Sequence, residues 1–418
     1  MCGFIIFVGY IMAQNSKSAA LGFLIFLTGD IGFLTRWLLI RLNHPLIDSS
    51  TLPAPSIAGK RHRWKRIFMW VNRILKSAHW IFLIITAAGA IVSACQEQYS
   101  NPGTPIRINL PSGPTRTISY NCTSPPHANH NSNTTVTPPT IWFESSAAHG
   151  VLDFLGLQHY LASTHNLTSC SYDPPNYGWS DPLPASQHDY VDYLPALLRA
   201  LGQQDDSRII AGWGEGLELA VRHAMQDTEK TVAVVDLDAS PDGIEWFEAQ
   251  RVNGWTEAQR LEYRKADIQS RIMLTEAILA VGLGFGLTPL AVPAPSHAYT
   301  PANLYSAYRA QFLRNPFWAL QYYELQRMAR QPRESAYLLN TTLPSRVQVF
   351  ALLTRDVYPN DDAASAFYRE QKLRVAESLA GGGLARLGWC EEEGCGLGFV
   401  VERAEWAAGV LAWMLEGL

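Results

Sequence analysis

Arg208-Ile-Ile-Ala-Gly-Trp-Gly-Glu-Gly216 runs directly into Leu217-Glu-Leu-Ala-Val-Arg-His-Ala-Met225. The opening residues form a short apolar run that reads as a buried strand, and the closing ones read as a helix. Between them, Gly212-Trp-Gly-Glu-Gly216 places glycine at every second position. That composition suits a tight elbow in which a strand turns sharply into a helix.

Outward from the elbow the same alternation repeats. Ile141-Trp-Phe-Glu144 reads as a strand, 151–162 as a helix, 168–172 as a strand and 190–201 as a helix, and Thr231-Val-Ala-Val-Val235 is the next strand. Upstream, Ile106-Arg-Ile-Asn-Leu110 alternates, Pro111-Ser-Gly-Pro114 turns and Thr117-Ile-Ser-Tyr-Asn-Cys122 resumes, a hairpin pattern followed by a proline-rich loop over 125–139. Strands alternating with helices of this length predict a mainly parallel sheet covered on both faces, an α/β class fold.

One segment makes the class more specific. Tyr172-Asp-Pro-Pro-Asn-Tyr-Gly-Trp-Ser-Asp-Pro182 resembles the tyrosine-aspartate and glycine-tryptophan-serine-aspartate segment of alpha/beta-hydrolase fold proteins. The hairpin ending in Asn121-Cys-Thr, the Ile141 strand with its 145–150 loop, and Val234-Val-Asp-Leu-Asp-Ala-Ser-Pro241 resemble their counterparts too. The resemblance covers 102–418 and is weakest over 244–343, where such proteins insert a variable helical cap. It implies a first half of the core over 98–243, a cap over 244–343 and a second half of the core over 344–418. Residues 1–97 precede these, and their apolar runs mark them as a membrane anchor.

In that family the nucleophile, usually serine, stands third in the glycine-x-serine-x-glycine elbow, where a strained turn exposes its hydroxyl beside backbone amides. Here the third position is Gly214, which offers no atom able to attack a carbonyl. Trp213 precedes it and Glu215 follows, and both are candidate binding residues beside the apex. By the same resemblance Val347-Gln-Val-Phe-Ala-Leu-Leu353 is the strand before the catalytic acid, which falls on Asp356, while the histidine position falls on Leu397. At most one member of the triad remains. Loss of either nucleophile or base costs about as much as loss of the whole triad, ~10⁶ in turnover. The expectation is therefore a catalytically degenerate protein that binds an apolar small molecule or a protein partner. The alternative is an active hydrolase of esters or lipids using displaced groups, with Ser146 as nucleophile and His149 as base, both in the loop after the Ile141 strand.

Asp236 and Asp238 are expected to cap the turn after the Thr231 strand. Cys390 and Cys395, spaced around Glu391 to Glu393, lack the second ligand pair of a metal site and read as a small disulfide loop. Cys122, Cys170, Cys390 and Cys395 form an even set with three possible connectivities. The resemblance, in which the second and fourth strands are neighbours, implies a Cys122–Cys170 bond. No metal or cofactor is expected.

The remaining signals concern the membrane. Positions 77–96 carry no formal charge and are long enough to cross a ~30 Å hydrocarbon layer. Positions 19–40 are a second candidate span despite Asp30 and Arg36, and 3–13 is apolar but short. Lys60, Arg61, Arg63, Lys65, Arg66, Arg73 and Lys76 directly precede the 77–96 run, and such basic clusters stay cytoplasmic. The rest of the chain would then face the lumen or exterior. The sequons at Asn121, Asn133, Asn166 and Asn340, and the four cysteines above, all lie on that side. Within the cap, 244–264 reads as a polar amphipathic helix and 272–292 as an apolar lid whose character fits a lipid-like ligand. An integral membrane protein of the secretory pathway or plasma membrane, with the bilayer as its partner, is the expectation.

Hydrophobic residues make up 47% of the 418 positions and charged residues 17%, which excludes general disorder. A net charge of -4 argues against nucleic acid as a partner. A transport or channel role rests on Asp30 alone, too little for a polar pathway.

Overall fold

The computed structural model describes residues 101–111, 113, 115–126, 138–145, 149–181, 190–239, 254, 256–277, 336–354, 362–390, 395 and 399–418. It also describes positions 307, 310, 311, 322 and 325 and, towards the amino end, 66, 67, 69–71, 73–78, 80 and 81. The chain divides into two compact units, one of residues 1–98 with 277–292, the other of 99–276 with 293–418.

The second unit is built on eight strands: β1 Thr104–Ile108, β2 Arg116–Thr123, β3 Thr140–Glu144, β4 Ser169–Tyr172, β5 Arg208–Trp213, β6 Thr231–Leu237, β7 Gln348–Thr354 and β8 Arg386–Cys390. They form one sheet in the order β1-β2-β4-β3-β5-β6-β7-β8. β1 and β2 are the expected hairpin, with Ile106 opposite Ile118. β2 is antiparallel to both its neighbours, and every pairing from β4 to β8 is parallel. In the β2–β4 register Cys122 lies opposite Cys170, and the two are bonded, as the resemblance implied. Cys390 and Cys395 form the second disulfide.

Among the described residues the helices are α1 Val151–His165, α2 Tyr193–Leu201, α3 Gly216–Gln226, α4 Glu257–Ala277, α5 Ala336–Leu339, α6 Asp362–Leu379, α7 Phe399–Glu402 and α8 Ala404–Leu415, with a 3-10 turn Tyr190–Asp192 before α2. Strand side chains alternate between faces, so one run of sequence serves two cores. Ile209, Ala211 and Trp213 of β5 pack with Phe154, Leu157 and Leu161 of α1 and with Ala407, Ala408 and Leu411 of α8. Ile210 points the other way, into a cluster with Leu194 and Leu197 of α2, Leu217, Ala220 and Val221 of α3, and Val375 and Leu379 of α6. The result is the expected sheet covered on both faces.

Where structure and expectation differ, local chemistry explains it. The helix expected over 190–201 begins as a 3-10 turn, and Pro195 occupies the first turn of α2, where its missing amide costs no helical hydrogen bond. α4 runs unbroken from Glu257 through Ile272 to Ala277, because Lys265-Ala-Asp-Ile-Gln-Ser-Arg271 contains neither glycine nor proline. The polar helix read up to 264 therefore continues into the start of the apolar 272–292 segment. Its Ile268, Ile272 and Thr275 are buried, whereas Met273 and Leu274 are exposed. Among the described residues no helix is long and apolar enough to cross a membrane. The spans expected at 3–13 and 19–40 and most of that at 77–96 lie outside the described residues, as does Asn133.

Candidate functional site

Gly214 sits at φ +59°, one residue past the end of β5 and two before the start of α3. Glycine adopts this left-handed conformation without the penalty a side chain brings. The flanking glycines are required by close approach: a Cβ on Gly212 would stand 2.3 Å from the Cα of Leu217, and one on Gly216 2.4 Å from the carbonyl oxygen of Glu144. The turn is thus pressed against both its own helix and the end of β3. The Gly214 amide donates to the Leu237 carbonyl at 3.3 Å, and its own carbonyl accepts from Leu217 at 3.2 Å. The elbow is a sharp strand-to-helix bend whose apex residue, Gly214, carries no side chain.

Trp213, expected beside a ligand, is 7% exposed. Its ring lies 4.4 Å from that of His149 and 5.9 Å from that of Phe154, which stacks on Phe143. Most of it therefore belongs to the core, and its outer edge meets His149. Glu215 occupies the N-cap position of α3, makes no side-chain cap hydrogen bond and is half-buried. His149 places Nδ1 3.3 Å from Asp153 Oδ1, so a carboxylate sits beside the imidazole. The carbonyl of His149 accepts a 2.8 Å hydrogen bond from Ser145 Oγ. The structure brings Gly214, Trp213, Glu215 and His149 together at the carboxyl ends of β3 and β5. Ser146, Asp356 and Leu397 lie outside the described residues. Among the described residues no cluster able to hold a metal ion occurs.

The form of the Tyr172–Asp181 segment follows from structural constraints. Asp173 is fully buried and accepts from the Val151 amide at 2.8 Å, capping α1, and from the Trp179 amide at 3.0 Å. A Cβ on Gly178, at φ +50°, would stand 2.1 Å from Asp173 Oδ2, and one on Gly150 2.4 Å from Oδ1. Ser180 Oγ donates to the Asp173 carbonyl and accepts from the Ser119 amide, and Asp181 accepts from Thr117, so the loop is stitched to β2. Burial pushes the Asp173 carboxyl up to about 7, and the two amide donors oppose that rise.

The structure also shows three buried polar groupings, of whose members the sequence singled out only Asp236 and Asp238. Tyr172 donates to Glu144 Oε2 at 2.7 Å, and Glu144 Oε1 lies 3.2 Å from His223 Nε2, a close contact without hydrogen-bond alignment. Burial, then the neighbouring Glu144 charge, pushes the Tyr172 phenol well above its usual range. Second, Asp238, at φ +59°, does not cap the next turn as expected. It pairs with Lys372 of α6 and accepts from the amide and hydroxyl of Thr354, each at 2.8 Å. Third, Asp236 does cap the turn, through the Ala239 amide at 2.7 Å, but its Oδ2 is buried without a hydrogen-bond partner among the described residues. Burial raises its carboxyl to about 8, against the opposing pull of the Ala239 bond and Lys372. A glutamate ending an otherwise apolar strand, as in Ile141-Trp-Phe-Glu144, was the one signal available for the first grouping.

No family model matches the chain, and no curated protein matches its sequence. Solved structures do match. A laboratory-evolved variant of a potato epoxide hydrolase superposes with a TM-score of 0.51 at 14% identity, over 76% of this chain and 99% of that one. A protein from Pseudomonas aeruginosa assigned as an epoxide hydrolase does so with a TM-score of 0.50 at 14% identity, over 75% of this chain and 95% of that one. This chain has the alpha/beta-hydrolase fold.

Proposed function

We propose that this is a membrane-anchored alpha/beta-hydrolase fold protein that performs no hydrolysis at its elbow and instead binds an apolar small molecule or a protein partner. The observation that carries the reading is Gly214 at the apex, φ +59°, with hydrogen alone where the fold ordinarily holds its attacking oxygen. The solved structures it resembles are named for epoxide hydrolysis, but at 14% identity that likeness extends to the fold and not to the reaction.

Anchoring is supported by the uncharged 77–96 run and the basic cluster before it. It is also supported by the helical positions between 66 and 81, where Trp70 and Trp80 are 68% and 65% exposed and Met69, Leu75 and Ile81 are exposed beside Arg73 and Lys76. Apolar surface of that kind needs cover, and a bilayer supplies it. The orientation that puts the hydrolase-fold unit outside the cytoplasm follows from the same cluster. The exposed sequons at Asn166 and Asn340 agree with it, whereas the amide nitrogen of Asn121 is engaged with Gln158 and Thr123.

One observation favours the alternative of a working hydrolase: His149, oriented by Asp153 and lying against Trp213, places an imidazole beside the elbow. A serine-directed fluorophosphonate probe applied to the purified full-length protein separates the two. The first reading expects no covalent adduct, and stoichiometric labelling, at Ser146 or any other serine, overturns it.

A further inference from the structure

Between Asp48 and Glu97 the chain carries no acidic residue, and Lys60, Arg61, Arg63, Lys65, Arg66, Arg73 and Lys76 all fall within that stretch. Their charge is therefore not balanced by neighbours in sequence. The described positions from 66 to 81 are helical, and a helix turns by ~100° per residue. Arg66, Trp70, Arg73, Ser77 and Trp80, at alternating spacings of four and three, thus stand in one stripe. One residue further on, Ile67, Val71, Ile74, Ala78 and Ile81 repeat the spacing and form an apolar stripe beside it. All of these residues are exposed.

A hollow of about 410 Å³ lies along the boundary of the two stripes, lined by Trp70, Arg73 and Ser77 from the first and Ile74, Ala78 and Ile81 from the second. Ser77 and Ala78 are small, which leaves room between the larger side chains at either end. Arg73 stands towards the amino end, and Ile81 follows eight residues later, ~12 Å along the axis at about 1.5 Å per residue. One end of the hollow is therefore cationic and the other apolar. The apolar end belongs to the uncharged 77–96 run. A phospholipid has the same polarity, with a charged head and an apolar tail.

We propose that this face binds an anionic phospholipid of the leaflet it borders, with a net negative head group such as that of phosphatidylserine. The phosphate accepts from the Arg73 guanidinium, the Ser77 hydroxyl and the Trp70 indole, and the acyl chain lies on Ile74, Ala78 and Ile81. Arg66, two turns back on the same stripe, meets the second negative group of the head. The planar guanidinium fork suits phosphate, and tryptophan belongs at head-group depth. Basic clusters beside a span are drawn to anionic lipid, whereas a zwitterionic head offers them no net charge. A nucleic acid matches the charge but has nothing apolar to lay on Ile74, Ala78 and Ile81, and a second copy of the helix would bring like charges together. The inference rests on membrane anchoring and adds to it the class of lipid.

The test uses the full-length protein reconstituted in phosphatidylcholine vesicles with a trace of spin-labelled phosphatidylserine or spin-labelled phosphatidylcholine. Electron spin resonance reads the fraction of each label slowed at the protein surface. At about 0.1 M salt phosphatidylserine should be favoured at least about threefold, and about 1 M salt should remove most of that preference by screening the cations. Arg66→Gln with Arg73→Gln should abolish it. Ser77→Trp fills the hollow without altering charge and should lower the preference at least about twofold. All three positions are exposed, so neither variant disturbs a core. Equal slowing of the two labels by the wild-type protein, the result if an uncharged lipid or a second copy covers the hollow, overturns the proposal. So does a preference that survives intact in either variant. Resistance to alkaline extraction from phosphatidylcholine vesicles reports anchoring separately. A protein that resists extraction and shows no preference keeps its anchor and loses this inference, whereas one that is extracted yet floats with phosphatidylserine vesicles alone loses the anchor and keeps the lipid class.

Discussion

Lys372 and Asp238 form an ion pair with both side chains completely buried, joining α6 to the carboxyl end of β6. Taking two charges out of water is costly, and the pair is tolerated because Thr354 saturates the remaining valences of the carboxylate. Removing one partner leaves a bare buried charge. Lys372→Met should destabilise the protein by about 3–5 kcal/mol. Adding Asp238→Asn should recover part of that loss, since asparagine accepts the left-handed backbone. Urea unfolding of the two variants checks this, and a loss for Lys372→Met within error of zero would contradict it.

Asp236 supplies a pH dependence. Its carboxyl titrates at about 8 in the folded protein, against an ordinary value near 3.8, because burial penalises the charged form. The folded state therefore holds the proton more tightly than the unfolded chain. This contribution is complete below pH ~4 and is lost as pH rises through about 8. Asp236→Asn cannot ionise. Relative to wild type, its melting temperature should climb steadily between pH 4 and pH 8, and a difference that stays flat would refute the assignment.

Gly178→Ala places a methyl where Asp173 Oδ2 already stands and forces a side chain onto φ +50°. Either the loop or the cap on α1 has to give. A loss of at least about 3 kcal/mol is expected, in the range of overpacked and strained sites. Early cleavage in the 173–181 loop under limited proteolysis would accompany it, and an unchanged melting curve would remove the claim that this segment is a structural staple.

Gly214→Ser should cost about 1–2 kcal/mol, the strain of a side chain in the left-handed region. Alone, the new hydroxyl should stay unlabelled by fluorophosphonate. Combined with Leu397→His, at the position the resemblance assigns to the base, labelling should appear. Labelling of the single variant would mean that an imidazole already faces the apex.

Cys122→Ser with Cys170→Ser opens a loop of 48 residues between adjacent strands. On the loop-entropy account the unfolded chain gains about 4 kcal/mol of stability relative to the folded one. Denaturant titration of the double variant, against wild type under oxidising conditions, measures it.

The order of strands and helices was legible in the sequence because burial writes itself as a period: β-branched runs over 208–213 and 231–237, and helical patterns between them. The glycine at the apex was equally legible, since an absent side chain at the centre of Gly212-Trp-Gly-Glu-Gly216 needs no coordinates to be recognised. The Cys122–Cys170 pairing needed the family's strand order as well, because four cysteines by themselves leave three choices open. α4 crosses from the polar into the apolar segment because a change of composition is not a helix stop unless a breaker accompanies it.

What the chain alone determined is therefore local: which segments become strands, where the backbone bends, and that the bend carries no hydroxyl. The tertiary structure decided which distant groups share a low-dielectric interior. Lys372 reads as an ordinary helix-surface lysine until α6 docks and seals it against Asp238. Glu144, Tyr172 and His223 look ordinary singly, and only the pairing of β3 with β4 and the packing of α3 bring them together. Periodicity reports that a residue is buried, but not beside whom, and the cost of a buried charge depends wholly on its neighbours.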